Sequence, residues 1–584
     1  MAEHIYDPLE RFRDEYFPKF KTEVREVIEN IVKTSGVDVG ANSKLCDEIY
    51  VIQKRLDKVN SVISVIKGFR TFFRVAMVCG FLSFILVPFV TETLAIEMTD
   101  EQYKIGSIIG AGVGVLCALI SIIFFNPAIK KRKRLASTIQ TLLTGKKDTA
   151  WKQLGPVFSL FTWDMTINMI RKVVPVLNFD RYFSEDRYNE LNDDFGPVFG
   201  TGQDTSTLGL QSGVIEGNPF VFVRRKLFHM GTKVYTGTKT ISWTEYTYVN
   251  GKQQSVRKSE TLTATVTKPF PEYSRDVILL YGNDAAPNLT FTKRPSEINR
   301  SEGGSERRKL KRKIKLLEKF SRNLTDDSDY TIMTNKEFEA RFDTTDRNDE
   351  TQFRLLFTAL AQRQMMSILV DKTVGYGDDF EFHKRRKMNL IKSEHLAGLS
   401  LDTDPSVFKH FDIRRVKELF IQTNEEYFRG IYFAFAPLLA IPLYQQTKSH
   451  KTIWGDDKVR KSTHWEWELM ANFRGSDVLK PKSCATETII KTGNRRERED
   501  GTTVVDVHSY GFSSHPRCTH VSVFGGDGRY HDVPVHWDEY LPVSMVKDMI
   551  VKELSAEEAK NYTDYGVRGR SSLFYRNIYS QVLD

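Results

Sequence analysis

TFFRVAMVCGFLSFILVPFVT (Thr71 to Thr91) and IGSIIGAGVGVLCALISIIFF (Ile105 to Phe125) decide how this chain is read. A helix rises about 1.5 Å per residue, so each run covers a hydrocarbon core about 30 Å thick. Arg74 is the only charge inside the first run, one turn from its end, where its long stem can reach the headgroups. The competing reading is a buried hairpin in a soluble core, but two apolar runs of this length in succession are uncommon there.

The flanks orient the pair. Lys54, Arg55, Lys58, Lys67 and Arg70 precede the first run, and Lys130, Lys131, Arg132, Lys133 and Arg134 follow the second. The loop between them carries Glu92, Glu97, Asp100 and Glu101 against Lys104. Positive-inside counting places both termini in the cytoplasm of a two-span cell-membrane protein. Gly106, Gly110, Gly114 and Ala118 share one helix face, which suits close packing against the first span or a second copy.

Leu45, Ile49, Ile52, Leu56, Val59, Ile63 and Ile66 alternate spacings of four and three, a coiled-coil-like heptad pattern. Leu135, Ile139 and Leu142 form a shorter stripe that ends near Gly145. These residues fit an antiparallel stalk within the chain and equally a parallel pairing between subunits. Upstream, Val24, Val27, Ile28 and Ile31 mark another amphipathic helix.

Beyond Trp151 a helical stretch gives way to strand patterns. NPFVFV, TISWTEYTYVNGKQQ, the alternation of Leu262, Ala264 and Val266, DVILLY and NLTFTK all read as strands, with Asn250-Gly251 as a type I′ hairpin turn. ERRKLKRKIKLLEKF (Glu306 to Phe320) is a basic helix with Leu310, Ile314 and Leu317 on one face, suited to anionic lipid. It has no aromatic interleaving and no known binding module, so nucleic acid is not an expected partner. IYFAFAPLLAIPLY (Ile431 to Tyr444) is too short for a span and carries Pro437 and Pro442; it reads as a buried segment. HWEWELM, TTVVDVHSY, THVSVFG and HDVPVHW read as strands, followed by a final helix near Val543 to Lys560.

The chain has 584 residues, a net charge of +9 and five scattered cysteines, which point to several domains, an anionic neighbour and a reducing compartment. The charged N-terminus MAEHIYDPLERFRDEYF lacks the apolar core of a signal peptide. Phosphate-loop, HExxH, GxSxG and CxxC motifs are absent, so no catalytic, cofactor-binding or metal residue is assigned and no cofactor is expected. The cluster that invites a metal reading is His508, His515, Cys518, His520, His531 and His536, since thiolate and imidazole suit zinc. Cys518 and His520 share a strand face, the arrangement a nucleophile pair would need.

MGTKVYTGTKTISWTEY (Met230 to Tyr246), YGNDAAPNLTF (Tyr281 to Phe291) and APLLAIPLYQQ (Ala436 to Gln446) resemble uncharacterised bacterial membrane proteins with two N-terminal spans. Asn335 to Leu369 is similar to part of a bacterial domain of unknown function, in which an acidic, Phe-containing strand precedes a helix. The resemblance implies no activity and carries over no functional residue.

The expected fold is therefore α+β: a transmembrane helical hairpin with a coiled-coil-like stalk, followed by β-rich and mixed α/β cytoplasmic domains. The expected divisions are amphipathic and heptad helices (1–70), hairpin (71–126), return helix (127–150), β-rich domain (151–300), basic linker helix (301–325), mixed domain (326–450) and a strand-rich domain with a terminal helix (451–584). The expected function is a membrane-anchored scaffold or interaction protein. Its expected partners are the lipid bilayer, anionic lipid at the basic segment, and a protein partner or second copy. The alternatives are an enzyme with an unrecognised, metal-dependent site in the C-terminal region, and a lipid-responsive regulator.

Overall fold

The computed structural model describes residues 5–81, 100–180, 182–249, 252–322, 330–401, 403–448, 461–554 and 578–583. It is 48% helix and 30% strand, an α+β protein. The chain divides into two compact units: Glu26–Thr162 with Val407–Gln422, and Met1–Arg25 with Trp163–Ser406 and Thr423–Asp584.

The first unit is helical. Helix α1 (Val39–Phe81) runs beside α2 (Asp100–Ile120) and α3 (Asn126–Gln153), which join through one π turn, Ser121–Phe125. The pairing is antiparallel: Asn42 Nδ2 donates to Gln153 Oε1 at 3.2 Å, Lys146 meets Glu48 at 2.5 Å, and the Phe73 and Phe125 rings lie 5.3 Å apart. Leu45, Ile49, Ile52, Leu56 and Val59 pack with Ala136, Ile139, Leu143 and Ala150. The heptad stripe is thus covered by the return helix of its own chain, because both carry apolar residues at matching helical spacing.

Among the described residues, one helix is long and apolar enough to cross a membrane, Gly112–Gln153, with 22% of its most apolar window covered by the protein. The other expected span is described only up to Phe81, within α1; its remainder and the Glu92–Thr99 part of the loop lie outside the described residues.

The second unit is built on two antiparallel sheets. The larger comprises β1 (Leu177–Phe179), β2 (Thr205–Ile215), β3 (Asn218–Val249), β4 (Lys252–Gly282), β5 (Thr290–Lys293), β6 (Phe380–Arg385) and β7 (Met388–Ser393), in the order β1-β2-β3-β4-β7-β6-β5. The smaller comprises β8 (Ile489–Glu497), β9 (Thr503–Phe524), β10 (Tyr530–Glu553) and β11 (Ile578–Val582), in the order β11-β10-β9-β8.

Alternation along β3 sorts its residues onto two buried faces. Val221 and Val223 join a core with Ile278, Leu280, Trp465 and Leu469, while Phe220 and Phe222 meet Phe435 edge-on. Trp465 and Leu469 belong to helix α7 (His464–Arg474), and Phe435 to α6 (Ile413–Leu439). The other face of α7, Trp467, Met470 and Ala471, packs on Val505, Val507, Met549 and Val551 of the smaller sheet. One helix therefore fills the space between the two sheets.

Several local expectations are corrected. HWEWELM forms α7 instead of a strand. Its signal is a capping box: Thr463 accepts from the Glu466 backbone N–H, and the residue three positions on is glutamate. Val543 to Glu553 of the expected final helix continue β10, because Val543 to Val551 each find a register partner on β9, and Lys552 and Glu553 find theirs on β11. The segment Lys336–Phe342, for which the resemblance implied a strand, is helix α5, capped by Asn335. Residues 431–440 are buried, within α6 for all but the last. The Asn250-Gly251 turn lies outside the described residues, but the pairing of Val249 with Lys252 leaves two residues between the strands.

Candidate functional site

β3 and β4 are 32 and 31 residues long, several times the usual strand, and stay in one unbroken register. β2 leaves β3 at Leu227, so the pair runs on alone for roughly 70 Å to its turn. β9 and β10 form a second long ribbon, and the two ribbons stack face to face. Ile241, Leu262 and Ala264 of the first pack on Val533 and Val535 of the second, with Tyr235, Trp243, Val266, Val521 and Val523 around them. Gly237 makes the close approach possible: a Cβ there would lie 2.1 Å from the Pro534 carbonyl oxygen. Trp537 Nε1 donates to Thr519 Oγ1 at 2.8 Å, Lys268 lies 4.4 Å above the Trp537 ring, and the Gly526 N–H donates to Glu260 at 2.6 Å. Together they form a two-layered β arm.

At the base of the arm lies a cleft of about 790 Å³, walled by Phe228, Tyr273, Tyr510 and Phe512 with Asp204 and Lys491 among its polar groups. Its size falls in the range of about 300–1,000 Å³ usual for small-molecule sites. Phe228 lies 5.2 Å from Phe512 and 5.5 Å from Tyr273, so the aromatic wall is continuous. Lys491 is held by Glu468 at 3.0 Å, and Glu468 also accepts from the backbone N–H and hydroxyl of Thr207. Burial raises the Glu468 carboxyl above its ordinary range, with Lys491 and Thr207 opposing. Burial likewise raises the Tyr273 phenol, whose hydroxyl meets Thr486 Oγ1 at 3.1 Å. The cleft can hold an apolar or aromatic group; nothing in it is arranged as a nucleophile with its base.

The six histidine and cysteine residues all lie on the second ribbon, His515 and His531 on one face and His508, Cys518, His520 and His536 on the other. Cys518 stands opposite His536 on β10, and His520 opposite Pro534; Cys518, His520 and His536 are exposed. His531 bonds Asp527 at 2.9 Å, His515 bonds Ser513 at 3.0 Å, and His508 lies against Tyr510. Among the described residues, no group of three His, Cys, Asp or Glu side chains is placed to hold a metal ion.

The basic helix is α4 (Gly303–Ser321). Its apolar stripe, Leu310, Ile314 and Leu317, packs within the protein against Tyr330, Ile332 and Ala340. Arg307, Arg308, Lys311, Arg312, Lys315 and Lys319 remain exposed. The stripe is therefore occupied, and the cationic face is what α4 presents.

The sequence reading missed the buried polar centres. Lys293 pairs with Asp378, and Asp378 also accepts from the Ser296 N–H and Asn299 Nδ2, each at 2.7 Å. Arg347 bridges Glu339 and Glu350 at 2.8 and 2.7 Å. His395 is held at both nitrogens, by Asp379 at 2.5 Å and the Gly430 carbonyl at 3.0 Å, beneath the parallel ring of Tyr376. Each centre is closed on itself, which marks positioning of loops and helices rather than reaction chemistry. No protein-family model, curated protein or solved structure matches the chain.

Proposed function

We propose that this protein is a membrane-anchored scaffold that docks protein partners through its β arm. The two-layered arm carries the reading. It is long and mostly exposed on its outer faces, so it presents an extended surface to a partner. The apolar helix supports anchorage. In this reading both Thr71–Thr91 and Ile105–Phe125 cross the cell membrane and both termini are cytoplasmic, as the flanking charges indicate. The exposed cations of α4 support a second contact, with anionic headgroups, by electrostatic attraction without insertion. A metal-dependent enzyme draws no support from the placement of the C-terminal histidines.

The test is affinity capture of the full-length protein from native membranes in mild detergent, with mass spectrometry of bound proteins and lipids. A stoichiometric polypeptide companion, which includes a second copy, is the expected result. A lone chain with neither would overturn the scaffold reading, and anionic lipid alone would favour the lipid-responsive one.

A further inference from the structure

Resting on the scaffold reading, we infer that the open edge of β3 pairs antiparallel with β3 of a second copy of this chain. The first observation is which groups that edge presents. The Phe228 N–H donates to the Asp204 carbonyl at 2.9 Å, away from β4, so even-numbered β3 residues address the outer edge. β3 and β4 stay in one register throughout, so this parity holds to Tyr248. No backbone hydrogen bond beyond the β3–β4 pairing engages Met230 to Tyr248 among the described residues.

The second observation is where proline falls. By the same parity rule, Pro269 and Pro271 face the outer edge of β4, Pro516 that of β9, and Pro534 and Pro542 that of β10. A proline cannot donate, so these three edges are guarded against an added strand. β3 has no proline from Phe220 to Val249, so of the four ribbon edges only that of β3 carries no interrupting proline.

The third observation is self-complementarity. Pairing about a two-fold axis at Ser242 puts Lys239 opposite Glu245, Ile241 opposite Trp243 and Thr240 opposite Thr244 of the second copy. The axis residue is even-numbered and hence donates and accepts across the edge, as an antiparallel pair requires. The other register that puts a β3 lysine against Glu245, centred on Lys239, would oppose Lys239 to itself. Glu245 pairs with Lys258 across β3 and β4, and Lys239 reaches the Asp532 carbonyl at 3.1 Å, so both side chains lie on one face of the ribbon, as cross-strand neighbours in that register require.

The test uses the full-length protein in mild detergent, with native mass measured across concentrations. The wild type is expected to be a dimer. Thr240→Pro, which removes one edge N–H, should weaken it at least tenfold; Thr261→Pro, the matching change on the guarded β4 edge, should alter it less than twofold. Lys239→Glu and Glu245→Lys change no backbone group. Each alone should weaken self-association, and mixing the two should restore a mixed dimer. With Cys79 and Cys518 replaced by serine, Ser242→Cys should cross-link to itself with a short thiol reagent. A monomeric wild type, or a dimer indifferent to Thr240→Pro and to both charge changes, overturns the proposal. So does a different polypeptide seated on the β3 edge, although that outcome leaves the scaffold reading standing.

Discussion

Lys384 is fully buried on β6. Its ammonium donates to the Ala285 carbonyl at 3.0 Å and lies 5.4 Å from the Tyr444 ring centre, and burial pushes its pKa down to about 7. An unfolded lysine titrates near about 10.4, so between these values the unfolded chain holds more protons than the folded one. Stability therefore rises with pH across that window, by at most about 1.4 kcal/mol per unit. Thermal melting between pH 6.5 and 9 should show this rise, and Lys384→Met should flatten it; an unchanged slope in the variant would refute the assignment. In the sequence this lysine is invisible. It sits in FEFHKRRK, which reads as a solvated basic stretch, and only its register opposite Asn389 and Phe291 places it inside. Thr463 and Glu466 are the opposite case: their capping box was readable, and the strand-like aromatics of HWEWELM masked it.

At the scale of elements, the arm depends on one missing side chain. Gly237→Val would drive a Cβ into the Pro534 carbonyl and force the layers apart. The expected cost is about 1–3 kcal/mol, typical of overpacking. Hydrogen exchange should show it as lost protection in β9 and β10 near Val521 and Val533, with the seven-stranded sheet unaffected; unchanged protection would mean that the ribbons do not touch there. The hairpin itself was legible, since Asn-Gly between β-branched runs is a strong local signal. Its length and its stacking partner were not, because a two-residue alternation says which face is apolar but not what covers it. The same limit applied to the expected helix beyond Val543. Met545, Met549 and Lys552 fit a helical spacing, and only pairing with β9 and β11 decides for strand.

For the whole molecule, composition and hydropathy told more about placement than about activity. The apolar run Ile105 to Phe125 predicted a helix long enough to cross a membrane, and Gly112–Gln153 is one. The heptads predicted a partner helix, and α3 supplies it. The histidine-rich C-terminal region promised metal chemistry, but the β9–β10 register puts His515 and His531 on one face of the ribbon and His508, Cys518, His520 and His536 on the other, and no three such side chains among the described residues are placed to hold a metal ion. What the molecule offers at this scale, among the described residues, is a helix long and apolar enough to cross a membrane, an exposed cationic helix and a β arm with one edge free of proline.

Anchorage underlies every part of this account, and alkaline extraction of membranes carrying the full-length protein tests it most directly. The account predicts that the chain stays with the bilayer after carbonate washing and leaves it only with detergent. Release into the soluble fraction at alkaline pH would show a peripheral protein and contradict it.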